Sequence, residues 1–230
     1  MPETSLEEHY KQMWSHAQQH ILDKGAKADL QIDDAHDKRY GITLLLRPPQ
    51  TVAQQIEAFL SQMQGLEPDQ YYYPVSDLHL TVLSIISCYS GFSLDQININ
   101  DYDQKIEDVL LGLPPLELSF RGITASPATI LLQGFPHNEA LQMLRDRLRS
   151  SFKSSNLQHS IDSRYHIFTA HSTIIRFRKA FKRPSRFIEQ LEKYRDYPFG
   201  TFTAQELELV ANDWYQRQGK VRLLKTYSLT

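Results

Sequence analysis

Apolar and polar positions along the chain follow two periods, and the change between them marks the expected elements. Apolar residues that recur every three or four positions predict an amphipathic helix, and a short continuous apolar run predicts a buried strand. We therefore expect helices over residues 6–21, 51–64, 102–111, 138–152 and 185–194. Strands are expected over residues 40–47, 78–86, 116–123, 129–135, 202–211 and 220–229, and within 165–177. The stretches 24–38 and 71–74 predict loops.

The ends of several helices carry local signals. Ser5 followed by Glu8 is the pattern of a capping box before the first helix, and Asn138 can cap the fourth. Gly25 and Gly65 predict where the first two helices end.

The order strand, helix, strand occurs twice. It covers residues 40–47, 51–64 and 78–86 in the first half, and 129–135, 138–152 and 168–177 in the second. No Gly/Ser-rich linker separates the two copies. We therefore expect one domain of two similar lobes that face each other across a groove. Residues 1–36 would form a helical extension, about 40–115 the first lobe and about 116–230 the second.

The last strand of each copy carries a histidine followed two positions later by a threonine. The two motifs are His79-Leu80-Thr81 and His171-Ser172-Thr173. Residues i and i+2 of a strand share a face, so each histidine points the same way as its threonine. The intervening Leu80, with Val82 and Ile174, would face the core.

Two such strands side by side would bring two imidazoles and two hydroxyls together. One neutral imidazole can take a proton from an attacking hydroxyl or water, while a protonated one gives a proton to the leaving oxygen. Threonine hydroxyls can bind the non-bridging oxygens of a phosphate. The set suits phosphodiester chemistry without a metal or cofactor. Asp33, Asp34 and Asp37 around His36 are interpreted as a solvated loop rather than a metal site.

Charge is divided unevenly along the chain, whose net charge is −2. Residues 1–115 hold 7 Lys/Arg against 17 Asp/Glu, and residues 116–230 hold 18 against 10. This division favours a polyanionic ligand held mainly by the second half. Basic residues follow the second motif closely: Arg176, Arg178, Lys179, Lys182, Arg183 and Arg186.

Several further side chains are candidates for substrate contacts. Arg164 and Tyr165 precede the second motif strand, and Arg39 is a candidate phosphate clamp beside the first lobe. Aromatic side chains that can stack a base occur in two places, at Tyr71, Tyr72 and Tyr73, and at Trp214 and Tyr215. Cys88 is interpreted as a small buried apolar residue.

Composition narrows the class of protein. The chain has 230 residues, of which 41% are hydrophobic and 23% charged, as in ordinary globular proteins. A single cysteine excludes an internal disulfide framework. No apolar run is long enough to span a membrane, and residues 1–21 lack the apolar core of a signal peptide. We expect a cytoplasmic protein without a membrane partner.

The paired H-x-T motifs, about ninety residues apart, and the final strands after Phe199-Gly200 resemble the 2H phosphoesterase superfamily. That superfamily includes the LigT-like RNA 2′,5′-ligases and cyclic phosphodiesterases. The resemblance extends from about residue 40 to 229 and leaves residues 1–36 and the insertion around 95–103 outside the usual core.

The resemblance implies a bilobal α+β fold, with antiparallel sheets, outer helices and a central groove. It also implies that His79 and His171 are the catalytic pair and that Thr81 and Thr173 bind phosphate. The implied substrates are 2′,3′-cyclic phosphates or 2′,5′ linkages of RNA ends or nucleotides.

Two other functions remain open from the sequence. The groove could bind RNA ends or nucleotides without turnover, which the charge division fits equally well. A facing histidine pair could also protonate and deprotonate a sugar ring, as in a mutarotase, although the basic cluster favours an anion. Neither the base nor the acid of the pair is assigned by the sequence.

Overall fold

Five helices and two antiparallel sheets form the fold in the computed structural model, which describes residues 5–164 and 166–229. The helices are α1 (Leu6–Lys24), α2 (Gln50–Leu66), α3 (Ile99–Leu110), α4 (Ala140–Lys153) and α5 (Pro184–Glu192). The strands are β1 (Arg39–Leu46), β2 (Tyr71–Tyr72), β3 (Leu80–Ser90), β4 (Glu117–Ser126), β5 (Thr129–Pro136), β6 (Ala170–Arg176), β7 (Pro198–Thr203), β8 (Glu206–Asp213) and β9 (Arg222–Ser228). None of the helices described is long and apolar enough to cross a membrane.

The two sheets each combine strands from both halves of the chain. The first sheet has the order β3-β1-β8-β9, and the second has the order β2-β6-β5-β4-β7. The predicted lobe boundary near residue 115 therefore does not coincide with the division between the sheets. β8 and β9 complete the first sheet, and β2 extends the second.

Helices cover the sheets and bury one continuous core. Trp14, Ala17 and Ile21 of α1 belong to this core, as do Ile56 and Met63 of α2. Each helix buries one stripe of apolar side chains, as its period predicts. The N-terminal helix is therefore integrated into the domain, although the sequence indicated an extension outside its usual core.

The predicted class, an α+β fold of two lobes with antiparallel sheets, is confirmed. The cap at the start of α1 is also present, since the Glu8 backbone N–H donates to the Ser5 hydroxyl at 3.2 Å. Gly25 ends α1 as expected. At α4, Asn138 accepts from the Ala140 N–H at 3.1 Å.

Three local predictions were wrong. Gly65 does not end α2, which continues to Leu66 because glycine weakens a helix without terminating it. Tyr71 and Tyr72 form β2 rather than a loop, since they pair with Arg176 and Ile175.

The third error concerns the segment 202–211, which is not one strand. β7 pairs with β4 in the second sheet, whereas β8 pairs with β1 in the first, so the chain changes sheet at residues 204–205.

Candidate active site

The two H-x-T motifs lie on strands of different sheets and line one cavity. β3 is the edge strand of the first sheet, and β6 is bordered in the second sheet only by the two-residue β2 on its outer side. His79, just before β3, and Thr81 share the cavity with His171 and Thr173 of β6. Its volume is about 170 Å³.

The pleat of each strand divides the motif as the sequence predicts. Leu80 and Val82 are fully buried on the far side of β3, and Ile174 is fully buried behind β6. The histidine and threonine of each motif remain partly exposed on the cavity side. Alternation along the strand thus aims the polar pair at the cleft.

His79 is oriented by a backbone group. Its Nδ1 lies 2.7 Å from the Asp77 carbonyl oxygen, which can only accept, so Nδ1 carries the proton. The lone pair of the neutral ring is then on Nε2, the nitrogen left for a ligand in the cavity.

His171 has a different partner. Its Nδ1 lies 2.7 Å from the hydroxyl of Thr169, two residues earlier. A hydroxyl can donate to a neutral Nδ1 or accept from a protonated one. The contact therefore fits either protonation state of this imidazole.

Burial favours the neutral form of both imidazoles. Burial lowers the pKa of His79 to about 4, against the opposing effect of its bond to the Asp77 carbonyl. The pKa of His171 is also lowered to about 4, mainly by burial and next by the positive charge of Arg145, followed by His79 and His9. An anion bound between the rings would raise both pKa values, because it favours their charged forms.

Predicted contact residues that lie at the cavity have polar groups that are already bonded. Arg176 donates to the Asp29 carboxylate at 3.2 Å and to the hydroxyl of Tyr73 at 3.4 Å. Arg164 donates to the Cys88 carbonyl at 2.8 Å. Arg176, Tyr73 and Arg164 all line the cavity.

Arg39 is not among the cavity residues. It forms a two-point ion pair with Asp37, at 2.9 and 2.8 Å, and donates to the Tyr215 hydroxyl at 3.2 Å. The pair lowers the pKa of the Asp37 carboxyl, mainly through the side-chain hydrogen bond from Arg39. The side chain contacts Trp214 and Tyr215 instead of reaching the cavity.

The aromatic wall consists of Trp214 and Tyr215, which both line the cavity. The guanidinium carbons of Arg39 and Arg164 each lie 4.8 Å from the Trp214 ring centre. Tyr215 is only 1% exposed. Cationic neighbours therefore compete with a base for these ring faces. Tyr165 lies outside the described residues.

The basic run after the second motif faces mostly away from the cavity. Arg178 pairs with Asp33 at 2.8 Å, and Lys182 pairs with Asp69 at 2.8 Å. Of the six basic residues in this run, Arg176 alone is among the described residues that line the cavity. The reason is that β6 ends at Arg176, and the chain after it leaves the cleft.

Sequence reasoning predicted Arg164 but missed the residues just before it, because Ser160, Asp162 and Ser163 also line the cavity. The Ser160 N–H donates to the Ile85 carbonyl at 2.9 Å, and the Ser87 N–H donates to the Ser160 hydroxyl at 2.7 Å. This irregular segment thereby borders β3 and lines the cavity together with Ser84 and Asn212. A loop without periodicity gave no signal for this placement. Within the described parts of the chain, no three potential metal-ligating side chains cluster.

The fold and site together define a class of protein: two antiparallel sheets that each contribute a histidine and a threonine to one cleft. The family model of the 2′-5′ RNA ligase superfamily matches residues 11–215, and the chain belongs to this superfamily. The resemblance noted from the H-x-T motifs is confirmed.

Solved structures share this fold at low sequence identity. TT0787 of Thermus thermophilus is 15% identical, with a TM-score of 0.62 over 82% of this chain and 97% of its own. E. coli LigT complexed with 3′-AMP is 17% identical, with a TM-score of 0.54 over 84% and 99%. A conserved protein of unknown function from Agrobacterium tumefaciens is 14% identical, with a TM-score of 0.58 over 92% and 98%. No curated protein sequence matches the chain.

Proposed function

We propose that the protein is a metal-independent phosphodiesterase that acts on 2′,3′-cyclic phosphates or 2′,5′ linkages of RNA or nucleotide ends. The observation that carries this proposal is the convergence of both H-x-T motifs on one cavity. Two proton-transfer groups and two hydroxyl donors at one small cleft match the needs of in-line attack on a phosphodiester.

In this mechanism His79 is the base for hydrolysis. Its Nδ1 proton is committed to the Asp77 carbonyl, so Nε2 is free to take a proton from water as the water oxygen bonds to phosphorus. His171 is the acid, since its hydroxyl partner Thr169 tolerates the charged ring. It protonates the ribose oxygen as the bond from that oxygen to phosphorus breaks. The roles exchange in the reverse direction.

The threonines would hold the phosphate between the two rings. Hydroxyls of Thr81 and Thr173 can donate to its non-bridging oxygens, and Arg176 supplies positive charge at the same cavity. The bound anion raises the pKa of the imidazoles, so the acid can be protonated in the complex although it is neutral in the free protein.

Nucleotide substrates are supported by a structural relative. E. coli LigT has been crystallised with 3′-AMP, ATP, NADP+ and phosphate. Nucleotide ligands of a protein with this fold favour a phosphorylated nucleotide over a free sugar for the present chain.

The test is turnover by His79→Ala and His171→Ala on four 2′,3′-cyclic nucleotides, a 2′,5′-linked dinucleotide and a free aldose, with and without chelator. We expect each substitution to lower kcat about 10²- to 10⁴-fold, the usual contribution of one acid or base. Chelator should leave wild-type turnover unchanged. His137→Ala is the matched control, because His137 is exposed and bonded to Ser119, outside the cavity.

Wild-type turnover by both histidine variants would refute the mechanism. Binding of cyclic nucleotides without wild-type turnover would identify a binding module instead. Conversion of the aldose alone would favour the sugar acid–base function.

A further inference from the structure

A buried arginine of α4 lies behind the two motif strands. Arg145 is 1% exposed, and among the residues that the structure describes it forms no ion pair with a carboxylate. Arginine is rarely buried without an acidic partner, because removing its charge from water is costly. Its position therefore calls for a compensating set of contacts.

Those contacts are four backbone carbonyls, two from each motif segment. Nε donates to Val82 O at 2.9 Å and Nη2 donates to Thr81 O at 3.0 Å, both on β3. Nη1 donates to Phe168 O at 3.2 Å and Nη2 also donates to Thr169 O at 2.9 Å, just before β6. One guanidinium thus joins the backbone of both H-x-T motifs.

We propose that Arg145 is the positioning residue of the active site, fixing the two H-x-T motifs relative to each other and placing a positive charge behind the phosphate. This inference rests on the proposed function for its kinetic part. Two independent features of Arg145 support it: a geometric one, the hydrogen bonds from one guanidinium to both motif segments, and an electrostatic one, the positive charge of that guanidinium.

The geometric element follows from the sheet topology. β3 and β6 belong to different sheets, and no ladder of backbone hydrogen bonds joins them over the described residues. Something else must set their separation, because proton transfer through one phosphate tolerates little error in the distance between the rings. A planar guanidinium with five donors in a fixed arrangement can bond both strands at once, whereas an ammonium cannot span the same set.

Two of the bonded carbonyls lie directly at site residues. The Thr81 carbonyl belongs to a residue that is itself predicted to bind phosphate. Thr169 O belongs to the residue whose hydroxyl orients His171. A shift of Arg145 would therefore move Thr81 and His171 together.

The electrostatic element follows from burial. Burial lowers the pKa of Arg145 to about 10, so the guanidinium stays charged at neutral pH. Burial is the main cause that lowers the pKa of His171, and the charge of Arg145 is the next, followed by His79 and His9. A bound phosphodiester anion would be attracted to the same charge, since no carboxylate among the described residues pairs with it.

The experiment compares Arg145→Met and Arg145→Lys with Arg147→Met as the matched control. Arg147 is on the same helix and likewise donates to backbone carbonyls, those of Val109 and Leu111, but these lie at the end of α3. The measurements are the pKa of His171 by NMR without substrate, the affinity for inorganic phosphate, and kcat and KM on the best cyclic nucleotide.

For Arg145→Met we expect a His171 pKa raised by about one unit, phosphate affinity weakened at least tenfold, and kcat lowered at least 10²-fold. Arg145→Lys retains a positive charge but loses the planar set of donors that bonds both motif segments. We therefore expect kcat to fall at least tenfold while KM changes less than threefold. Arg147→Met should leave all four quantities within twofold of wild type, or within 0.2 units for the pKa. If Arg145→Met does not fold, the lysine variant alone carries the test.

A folded Arg145→Met or Arg145→Lys protein with wild-type kcat and phosphate affinity would overturn the proposal. So would a lowered melting temperature as the only change, which is the signature of core packing alone. The pKa and phosphate measurements need no turnover. They therefore separate failure of this inference from failure of the proposed enzymatic function.

Discussion

The two cleft histidines have unlike hydrogen-bond partners. His79 donates to a carbonyl that fixes its tautomer, whereas His171 meets a hydroxyl that accommodates either protonation state. Burial lowers the pKa of both rings to about 4. At neutral pH both rings are therefore neutral, and in the proposed mechanism the bound anion must raise the pKa of one ring before it can act as the acid.

This predicts different pH profiles for kcat/KM and kcat. The kcat/KM profile reports the free enzyme, so its bell should peak on the acidic side of neutrality, near the lowered pKa values of about 4. The kcat profile reports the complex, in which the phosphate raises both pKa values, so its maximum should lie at least one pH unit higher. Steady-state kinetics from pH 4 to 9 check this, with His137→Ala as a control of unchanged profile. A kcat/KM maximum at or above pH 7 would contradict it.

Strand β6 owes its position to a close approach by β5. Gly134 pairs with Ala170, one position before the Gln133–His171 pair. A side-chain carbon at Gly134 would lie far inside van der Waals contact with the Ala170 carbonyl oxygen. The Gly134 carbonyl also accepts from the Tyr10 hydroxyl of α1 at 3.3 Å. The absence of a side chain at this position lets the strand that carries His171 lie in its register.

Gly134→Ala should therefore damage both stability and turnover. We expect a loss of about 3 kcal/mol in the free energy of unfolding, because backbone must move to relieve the overlap. We also expect kcat to fall at least tenfold, since β6 moves with it. Gly65→Ala is the matched control, because Gly65 lies in helix α2 and no atom lies within 4 Å of the added carbon. This substitution should raise the free energy of unfolding by about 0.5–1 kcal/mol. Chemical denaturation and kcat measure both, and a neutral Gly134→Ala would contradict the argument.

Across the whole molecule, the link between α1 and β1 ties the two sheets together. The Lys27 N–H donates to the Pro127 carbonyl at 2.8 Å, and the Asp29 N–H donates to the Phe177 carbonyl at 2.7 Å. At the other side, Arg217 donates to the Ile32 carbonyl at 3.0 Å. The link thus bonds to segments next to both sheets. Because the two cleft histidines have lowered pKa values, the stability of the fold should depend on pH through the site itself.

Stability should consequently fall on acidification before most carboxylates titrate. Each cleft histidine has a pKa near 6.5 when unfolded and about 4 when folded. Between these values the unfolded chain binds more protons, so the free energy of unfolding decreases as pH falls from about 6.5 to about 4. The loss is at most on the order of 3 kcal/mol for each ring, and less because each keeps an edge toward solvent.

Denaturation of wild type and of His79→Gln/His171→Gln across this pH range measures the effect. Carboxylates with lowered pKa values, such as Asp37 and Asp162, contribute below this window and equally to both proteins. The double variant should show a shallower decline. Parallel stability curves would rule out the assigned pKa shifts.

The sequence predicted most elements and the central pair of motifs, because both are local patterns. Strand alternation placed His79 with Thr81, and the repeat placed His171 with Thr173 on a matching strand. It could not predict that β8 joins the first sheet while β7 joins the second, since pairing partners leave no mark on periodicity. The error at residues 202–211 follows directly from this.

The same limit applies to the surroundings of the site. Arg39 and Trp214 were both candidate substrate contacts, but Arg39 is bonded to Asp37, and the ring of Trp214 is in contact with two guanidinium groups. Arg145 had the sequence signature of an ordinary helical arginine, one of three at alternate positions of α4. Only the fold shows that it faces inward, toward carbonyls contributed by both motif segments.

The exchange of strands between the halves has a consequence for biosynthesis. β1 has β3 on one side and β8 on the other, and β8 in turn needs β9. A nascent chain emerging from the ribosome therefore holds the first motif strand in an unfinished sheet until β8 and β9 have been translated. During that interval an apolar, half-paired edge is open to aggregation, so chaperone protection during synthesis matters more for this topology than for one whose halves fold in sequence.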